Sequence, residues 1–202
     1  MTSRKPILGL VGAIGAGKST VAKRLAARGG AVVDADTLGH DALDQPEIRE
    51  RIVAEWGNVL RPDGRVDRRK VAAIVFASQE ERRKLEHLTF PFIRRRCEDA
   101  IQAAMNNVQF KFVVLDAAVM LEAGWVGVCD RLLYVDAPRE LRLKRVAERS
   151  GWTVADLDAR EAAQMPAEEK RRYADAVIMN DGTIDELDRD LTVVLRRWNL
   201  TV

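Results

Sequence analysis

The amino-acid sequence predicts an α/β fold in which five parallel strands form a doubly wound sheet covered by helices on both faces. Short apolar runs alternate with helix-like segments along the chain, and these runs are apolar enough to be buried on both sides. A glycine-rich turn separates the first run from the first helix. Right-handed crossovers bring the carboxyl ends of parallel strands to one edge of the sheet, where ligands bind.

Each predicted strand is a short apolar run bounded by polar or turn-forming residues. The runs cover residues 7–11, 31–33, 110–115, 131–135 and 176–179. A helix is predicted over residues 18–28, and the last helix begins at a capping box, Thr183-Ile184-Asp185-Glu186. Apolar residues at helical spacing predict that this last helix packs on the sheet: Leu187, Leu191, Val194, Leu195 and Trp198.

The stretch between the second and third strands is predicted to form an inserted helical subdomain. Residues 37–109 contain helix-like segments and no convincing strand, and a connection of this length needs structure of its own. We therefore predict one domain of 202 residues, with a core at 1–36 and 110–202, the insert at 37–109 and a helical lid at 138–170. The insert is a natural place for a second substrate.

Composition and charge exclude several classes of protein. A net charge of +2 at pH 7 gives no overall electrostatic case for binding nucleic acid or a membrane surface. Cys97 and Cys129 lie far apart, so neither a disulfide framework nor a zinc site is expected. The apolar run at residues 7–11 is too short for a membrane span. We therefore expect a cytoplasmic protein, a monomer or small homo-oligomer, that binds neither nucleic acid nor membrane.

The strongest motif is a phosphate-binding loop, G-x-x-x-x-G-K-[ST], between the first strand and the first helix. Its glycines let successive backbone N–H groups converge on one phosphate, and the helix N-terminus adds partial positive charge. Lys18 is long enough to reach the β- and γ-phosphates of ATP, and Ser19 offers a hydroxyl to Mg²⁺. Thr20 either joins this site or only begins the helix. The predicted nucleotide-binding residues are Gly12, Ala13, Ile14, Gly15, Ala16, Gly17, Lys18, Ser19 and Thr20.

Three classes of protein use such a loop: switch GTPases, mechanical ATPases and small-molecule kinases. The N-K-x-D sequence that reads guanine is missing, and Asn180-Asp181-Gly182 follows the fifth strand instead. A mechanical ATPase is usually larger, with segments for partners beyond the core. The layout therefore favours a P-loop kinase-type fold, with ATP and Mg²⁺ as cofactors.

A basic segment after the fourth strand, residues 138–151, is predicted to belong to the lid of such a kinase. Arg145 and Arg149 lie four residues apart and therefore on one face of a helix. Two guanidinium groups on one face suit contacts with ATP phosphates. The alternative is a solvated helix with salt bridges, for example between Glu148 and Arg145.

Aspartates stand at the ends of two predicted strands. Asp34 and Asp36 follow the second strand, and Asp116 ends the third. In a doubly wound sheet these ends lie at the same edge as the loop. A carboxylate there accepts the proton of a substrate hydroxyl or holds Mg²⁺ through water, and Asp116 fits the acidic position that closes the metal shell. Helix N-capping is the alternative for each aspartate.

These motifs resemble the dephospho-CoA kinase family, in order and over nearly the whole chain. The matching segments are residues 12–20, Asp34-Ala35-Asp36, Trp56-Gly57, Asp63-Gly64, Val66-Asp67-Arg68, Leu143-Lys144-Arg145 with Arg149, Gln164-Met165-Pro166 and residues 174–182. The chain departs from the family at three places. Phe90-Pro91 stands where His-Pro is usual, Ala118 replaces a proline, and Arg142 replaces a common glutamine.

The resemblance implies a reaction and a set of site residues. The ATP γ-phosphoryl group would pass to the ribose 3′-hydroxyl of dephospho-CoA, giving CoA and ADP in the last step of coenzyme A biosynthesis. Asp36 is implied as the base or hydroxyl-orienting group, Lys18 and Arg145 as stabilisers of the transferring phosphoryl group, and Ser19 as a Mg²⁺ ligand.

Further residues are implied on each side of the reaction. Arg149 and Asn180 are implied on the ATP side, with Asn180 near the adenine. The residues implied on the acceptor side are Asp34, Asp36, Asp116 and Glu122. The alternative functions are another P-loop small-molecule or nucleoside/nucleotide kinase, and a nucleotide-binding switch without kinase activity.

Overall fold

The computed structural model describes residues 4–200, which fall into two compact units. The first unit contains the residues up to Asp34 together with those from Ala100 onward, and the second contains Ala35–Asp99. The first unit carries the whole β-sheet, and the second is helical.

The sheet has five strands, all parallel, in the order β2-β3-β1-β4-β5. The strands are β1 Ile7–Gly12, β2 Gly30–Asp34, β3 Phe112–Asp116, β4 Arg131–Asp136 and β5 Ala176–Met179. Every residue of β1 and β3 is buried, as expected for central strands covered on both faces. The predicted α/β fold class is therefore confirmed.

The helices alternate with these strands and fill the long insert. They are α1 Lys18–Ala26, α2 Ala35–Leu43, α3 Pro46–Trp56, α4 Arg68–Ala77, α5 Gln79–Asn106, α6 Arg139–Ser150, α7 Val154–Ala162, α8 Ala167–Arg172 and α9 Ile184–Arg197. A short 3₁₀ helix, Trp125–Val128, precedes β4.

Two predicted boundaries differ from the structure by two residues, each with a local cause, and the other strand ends differ from the prediction by at most one residue. α1 ends at Ala26 rather than at residue 28, because Arg28 N–H donates to the Leu25 carbonyl and Gly29 then takes a φ of 89°. β3 begins at Phe112 rather than at residue 110, because Phe110 N–H donates to the Asn107 carbonyl and closes a turn.

The core of the first unit lies between the sheet and two helices. Val21 and Leu25 of α1 are fully buried, as are Leu187, Leu191 and Leu195 of α9. The predicted capping box is present: Thr183 N–H donates to Glu186 Oε2 at 2.7 Å, and Glu186 N–H donates to Thr183 Oγ1 at 3.3 Å. The box starts α9 at the register that presents its leucines to the sheet.

The second unit has a small apolar core of its own, centred on Ile52, Val66 and Val71. The chain between α3 and α4 reverses at Pro62-Asp63-Gly64, where Leu60 and Val66 form an antiparallel bridge. Asp67 then caps α4 by accepting a hydrogen bond from Arg69 N–H. Pro91 lies inside α5, so it does not begin a new helix.

Within residues 4–200, none of the helices combines the length and the apolar character needed to cross a bilayer.

Candidate active site

The glycine-rich loop connects β1 to α1 and is built to leave backbone N–H groups exposed to a ligand. Ala16 N–H donates to the Ala13 carbonyl at 3.1 Å, which closes a tight turn. Gly17, the N-cap of α1, has a φ of 91°, and Gly15 has a φ of 79°. Thr20 N–H donates to the Gly17 carbonyl at 2.9 Å, whereas Lys18 and Ser19 occupy the first two helical positions, where N–H groups lack a partner one turn earlier. A phosphate placed here would receive these N–H groups together with the helix dipole.

Glycine is required in this loop by close neighbours as well as by backbone conformation. A Cβ atom on Gly15 would lie 2.7 Å from the carbonyl oxygen of Arg142, and one on Gly17 would lie 2.2 Å from Nδ2 of Asn180. Both residues also have a positive φ, which side chains disfavour. The glycines of the motif are therefore required by the packing around the loop, apart from any ligand.

Asn180 is the nearest side chain to this loop from the end of β5. Its Nδ2 donates to the Ala16 carbonyl at 2.8 Å, and its own backbone N–H donates to the Asp136 carbonyl at 2.8 Å. The residue is buried. Its amide thus holds the C-terminal half of the loop in place.

The two arginines predicted on one face of the lid helix differ in their surroundings. Arg145 is half-buried and donates from Nη2 to the Asn180 carbonyl at 2.8 Å and from Nη1 to the Ala16 carbonyl at 3.3 Å. Arg149 is exposed, with its Nε 3.4 Å from Ser150 Oγ. The structure therefore brings Arg145 to the loop and leaves Arg149 one turn further along α6.

A lysine and a carboxylate face each other at the start of α1. Lys18 Nζ lies 3.8 Å from Asp116 Oδ1, and both side chains are mostly buried. Asp116 is the last residue of β3, and Asp34 is its register partner at the end of β2. Ser19, the next residue of α1, is exposed. One cation, one carboxylate and one hydroxyl are thus gathered at the loop: Lys18, Asp116 and Ser19.

Asp36 belongs to the second unit, where it is exposed in the first turn of α2, two residues after the end of β2. A negative charge in the first turn of a helix is stabilised by the helix dipole. The position is compatible with both roles considered for this residue, hydroxyl orientation and helix-terminal stabilisation.

Glu122 is held by a buried lysine that the sequence did not single out as special. Lys170 Nζ lies 2.8 Å from Glu122 Oε1 and donates to the Ala118 carbonyl at 2.9 Å and to Gln164 Oε1 at 3.0 Å. Glu122 Oε1 also accepts a hydrogen bond from Met165 N–H at 2.8 Å. Lys170 begins the basic run Lys170-Arg171-Arg172, and no local signal in the sequence marks it as the buried member of that run.

A cavity of about 140 Å³ adjoins the loop. One side is formed by Gly12, Ala13 and Ile14, and another by the segment from Gln164 to Lys170. Arg142 and Glu161 complete the lining. The cavity is smaller than the pockets that usually hold small-molecule ligands, and three of its lining residues belong to the loop.

Four features together define a P-loop kinase: the parallel sheet, the phosphate-binding loop after β1, the Lys18–Asp116 pair and the arginine from α6. Comparison with known proteins identifies the family. The family model described as dephospho-CoA kinase matches residues 6–186. A dephospho-CoA kinase from Deinococcus radiodurans is 40% identical over 194 residues, covering 96% of this chain and 93% of the relative.

Solved structures agree with this assignment. A structure from Thermus thermophilus has a TM-score of 0.82 at 36% identity and covers 96% of this chain and 98% of that one. Dephospho-CoA kinase from Campylobacter jejuni has a TM-score of 0.67 at 26% identity, with 95% and 96% covered. The chain therefore belongs to the dephospho-CoA kinase family, which confirms the resemblance and the enzyme class predicted from the sequence.

Proposed function

We propose that this chain transfers the γ-phosphoryl group of ATP to the ribose 3′-hydroxyl of dephospho-CoA, giving CoA and ADP, with Mg²⁺ as the metal cofactor. The observation that carries the proposal is the pairing of Lys18 with Asp116 at 3.8 Å beside an exposed helix N-terminus. This arrangement offers a cation and backbone N–H groups to the phosphates and keeps a carboxylate next to them.

The loop residues Gly12 to Thr20 bind the phosphates, and Lys18 and Arg145 stabilise the charge that develops on the transferring group. Arg145 acts from α6, where its guanidinium already lies at the loop carbonyl of Ala16. A cation in this position acts like an arginine finger supplied by the same chain. Arg149, one turn along the helix, extends the same cationic face toward the nucleotide, and Asn180 borders the adenine side.

The residues at the loop also fit Mg²⁺. This ion prefers oxygen ligands, and the Ser19 hydroxyl and the Asp116 carboxylate supply them at the start of α1 and the end of β3. When bound, Mg²⁺ would neutralise charge on the β- and γ-phosphates. In this proposal Ser19 is the direct Mg²⁺ ligand. Asp116 is the carboxylate that faces Lys18 at the same site.

Asp36 accepts the proton of the acceptor hydroxyl, or orients that hydroxyl for in-line attack. Its exposed position in the first turn of α2 leaves its carboxylate accessible to a substrate. Asp34, Asp116 and Glu122 complete the acceptor side of the site. Glu122 does so through its position next to Lys170 and Met165.

The organisation of the chain fits this reaction. The insert at residues 37–109 would bind the CoA moiety, and the helical segment at residues 138–170 would act as the lid over ATP. We place the enzyme in the cytoplasm, where ATP is abundant, as a monomer or a small homo-oligomer.

The test is ADP release from ATP and Mg²⁺ with a panel of acceptors: dephospho-CoA, adenosine, AMP, thymidylate, pantothenate, shikimate and none. We expect turnover with dephospho-CoA alone, and mass spectrometry should identify the product as CoA. Turnover with a different acceptor would mean that this chain is a kinase for that acceptor and not for dephospho-CoA. Hydrolysis that ignores every acceptor would instead indicate a nucleotide switch.

A further inference from the structure

Arg142, in the first turn of α6, is a buried cation that joins three separate segments of the first unit. Its Nε donates to the Ala137 carbonyl at 3.2 Å, and its Nη1 donates to the Ile14 carbonyl at 3.1 Å. The same Nη1 also contacts Glu161 Oε1 on α7. A single side chain thus links the end of β4, the phosphate-binding loop and α7.

The backbone of Arg142 reinforces this link. Its carbonyl oxygen would lie only 2.7 Å from a Cβ atom on Gly15, so α6 is packed directly against the loop at that residue. The side chain holds Ile14 and the main chain touches Gly15. The position of two consecutive loop residues therefore depends on where the first turn of α6 lies.

The two arginines that pair with Glu161 differ in their exposure to solvent. Glu161 also pairs with Arg139 at 3.2 Å, and Arg139 pairs with Asp158. The side chain of Arg139 is 46% exposed, whereas that of Arg142 is 10% exposed. An exposed ion pair contributes little, but a buried guanidinium depends strongly on its carboxylate.

We propose that Arg142 and Glu161 form a positioning pair that fixes α7 and the phosphate-binding loop relative to each other, and so sets the affinity for ATP. The proposal rests on the assignment of the loop as the ATP site. A glutamine at this position would be neutral and shorter. It would lack the planar fork that reaches all three partners of Arg142.

The first test is steady-state kinetics of Arg142→Gln. We expect the KM for ATP to rise about tenfold, the effect of losing one charge-assisted hydrogen bond, while the KM for dephospho-CoA changes less than about twofold. Arg139→Gln is the matched control, because Arg139 lies on the same helix and shares Glu161 but is exposed. It should leave both KM values within about twofold.

A double-mutant cycle tests the pairing itself. Glu161→Gln leaves the Arg142 guanidinium buried without its carboxylate, so ATP binding should weaken more than in Arg142→Gln. The double variant Arg142→Gln/Glu161→Gln should recover about fivefold or more relative to Glu161→Gln alone. Additive effects of the two substitutions would contradict the pairing. If Arg142→Gln does not fold, Arg142→Lys keeps the charge opposite Glu161 but lacks the fork that reaches Ala137 and Ile14 as well, so it should raise the KM for ATP by a smaller factor.

Two readouts do not depend on turnover. ADP affinity is measured by calorimetry, and amide hydrogen exchange is measured at residues 13–17 and 154–162. Arg142→Gln should weaken ADP binding and speed exchange in both segments, whereas Arg139→Gln should do neither. Unchanged exchange and ADP affinity in Arg142→Gln would overturn the proposal. Because these readouts need no acceptor, they remain decisive even if the chain proved to phosphorylate something other than dephospho-CoA.

Discussion

The first unit contains two lysine–carboxylate pairs that differ in how completely the lysine is engaged. Lys170 lies within 3.0 Å of three acceptors, Glu122 Oε1, the Ala118 carbonyl and Gln164 Oε1. Lys18 lies 3.8 Å from Asp116, which is beyond hydrogen-bond distance. An ammonium group has three N–H donors, so the environment of Lys170 saturates it.

We infer from this difference that Lys170 stabilises the fold and that Lys18 is the lysine available to a ligand. A saturated ammonium group has nothing left to offer a phosphate, and its loss exposes several buried acceptors at once. A loosely paired ammonium group at the mouth of a phosphate-binding loop keeps its donors for the ligand. Sites that depart from full local satisfaction are where function is expected.

The largest expected effect comes from breaking the loosely paired lysine. Lys18→Ala should lower kcat by about a thousandfold or more, because a positioned cation stabilises the charge on the transferring phosphoryl group. The free energy of unfolding should fall by less than in a variant of Lys170, because Lys18 makes one long contact with Asp116 whereas Lys170 makes three short ones. Steady-state kinetics and chemical denaturation measure the two quantities.

Lys23→Ala is the matched control for this experiment, because Lys23 is exposed on the same helix. It should leave both kcat and stability unchanged. Near-normal activity in Lys18→Ala would remove the basis for the phosphoryl-transfer mechanism.

The next largest effect is expected at the candidate base. Asp36→Asn should lower kcat by about 10²- to 10⁴-fold, the usual contribution of general acid–base catalysis. The free energy of unfolding should fall by no more than about 1 kcal/mol, the usual contribution of an exposed charge in the first turn of a helix. Asp41→Asn, an exposed substitution on the same helix, is the control and should behave like the parent protein. If Asp36→Asn kept most of the parental kcat while folded, Asp36 would not be the base.

The saturated lysine should show the opposite pattern. Lys170→Met should lower the free energy of unfolding by about 3 kcal/mol, because Glu122, Ala118 and Gln164 lose a buried donor together. Residual activity per folded molecule should fall much less than in Lys18→Ala. Thermal and urea unfolding measure the change, and Arg172→Met on the exposed face of α8 is the control. Equal stability of Lys170→Met and Arg172→Met would erase the distinction between the two lysines.

The smallest expected effect is a loss of stability at alkaline pH, which limits the pH range in which variants of the two lysines can be compared. Burial raises the pKa of the Cys129 thiol from 9.0 to about 12, and burial likewise raises the pKa of Tyr134 from 10.0 to about 12. Between the unfolded and folded pKa values, the unfolded state has lost protons that the folded state keeps. Stability should therefore be complete below pH 9 and fall as the pH rises toward 12.

Urea denaturation at pH 8, 9, 10 and 11 measures this decline, and Cys129→Ala should make it shallower. A stability that rose over this range would mean that these groups are not protonated in the folded protein. Alkylation of Cys129 in the native state at pH 8 should also be slow, since the thiolate is the reactive form.

Local patterns in the sequence were sufficient for the elements that make up the site. The loop motif, the apolar strands and the capping box at Thr183 depend on residues close together in the chain, and each appears in the structure where the pattern predicts it. The boundaries moved by one or two residues where a turn hydrogen bond at Arg28 or Phe110 ended or delayed an element.

Periodicity and short motifs among neighbouring residues were enough to predict the fold class, the phosphate-binding loop and the family. Which cations of the basic segments are buried, and what they contact, depends on tertiary packing. Arg142 donates a hydrogen bond to the Ile14 carbonyl, 128 positions away in the sequence, and Asn180 donates one to the Ala16 carbonyl, 164 positions away. Such contacts follow from the packing of strands and helices that are distant in sequence, so no local pattern distinguishes Arg142 or Lys170 from the solvated cations beside them.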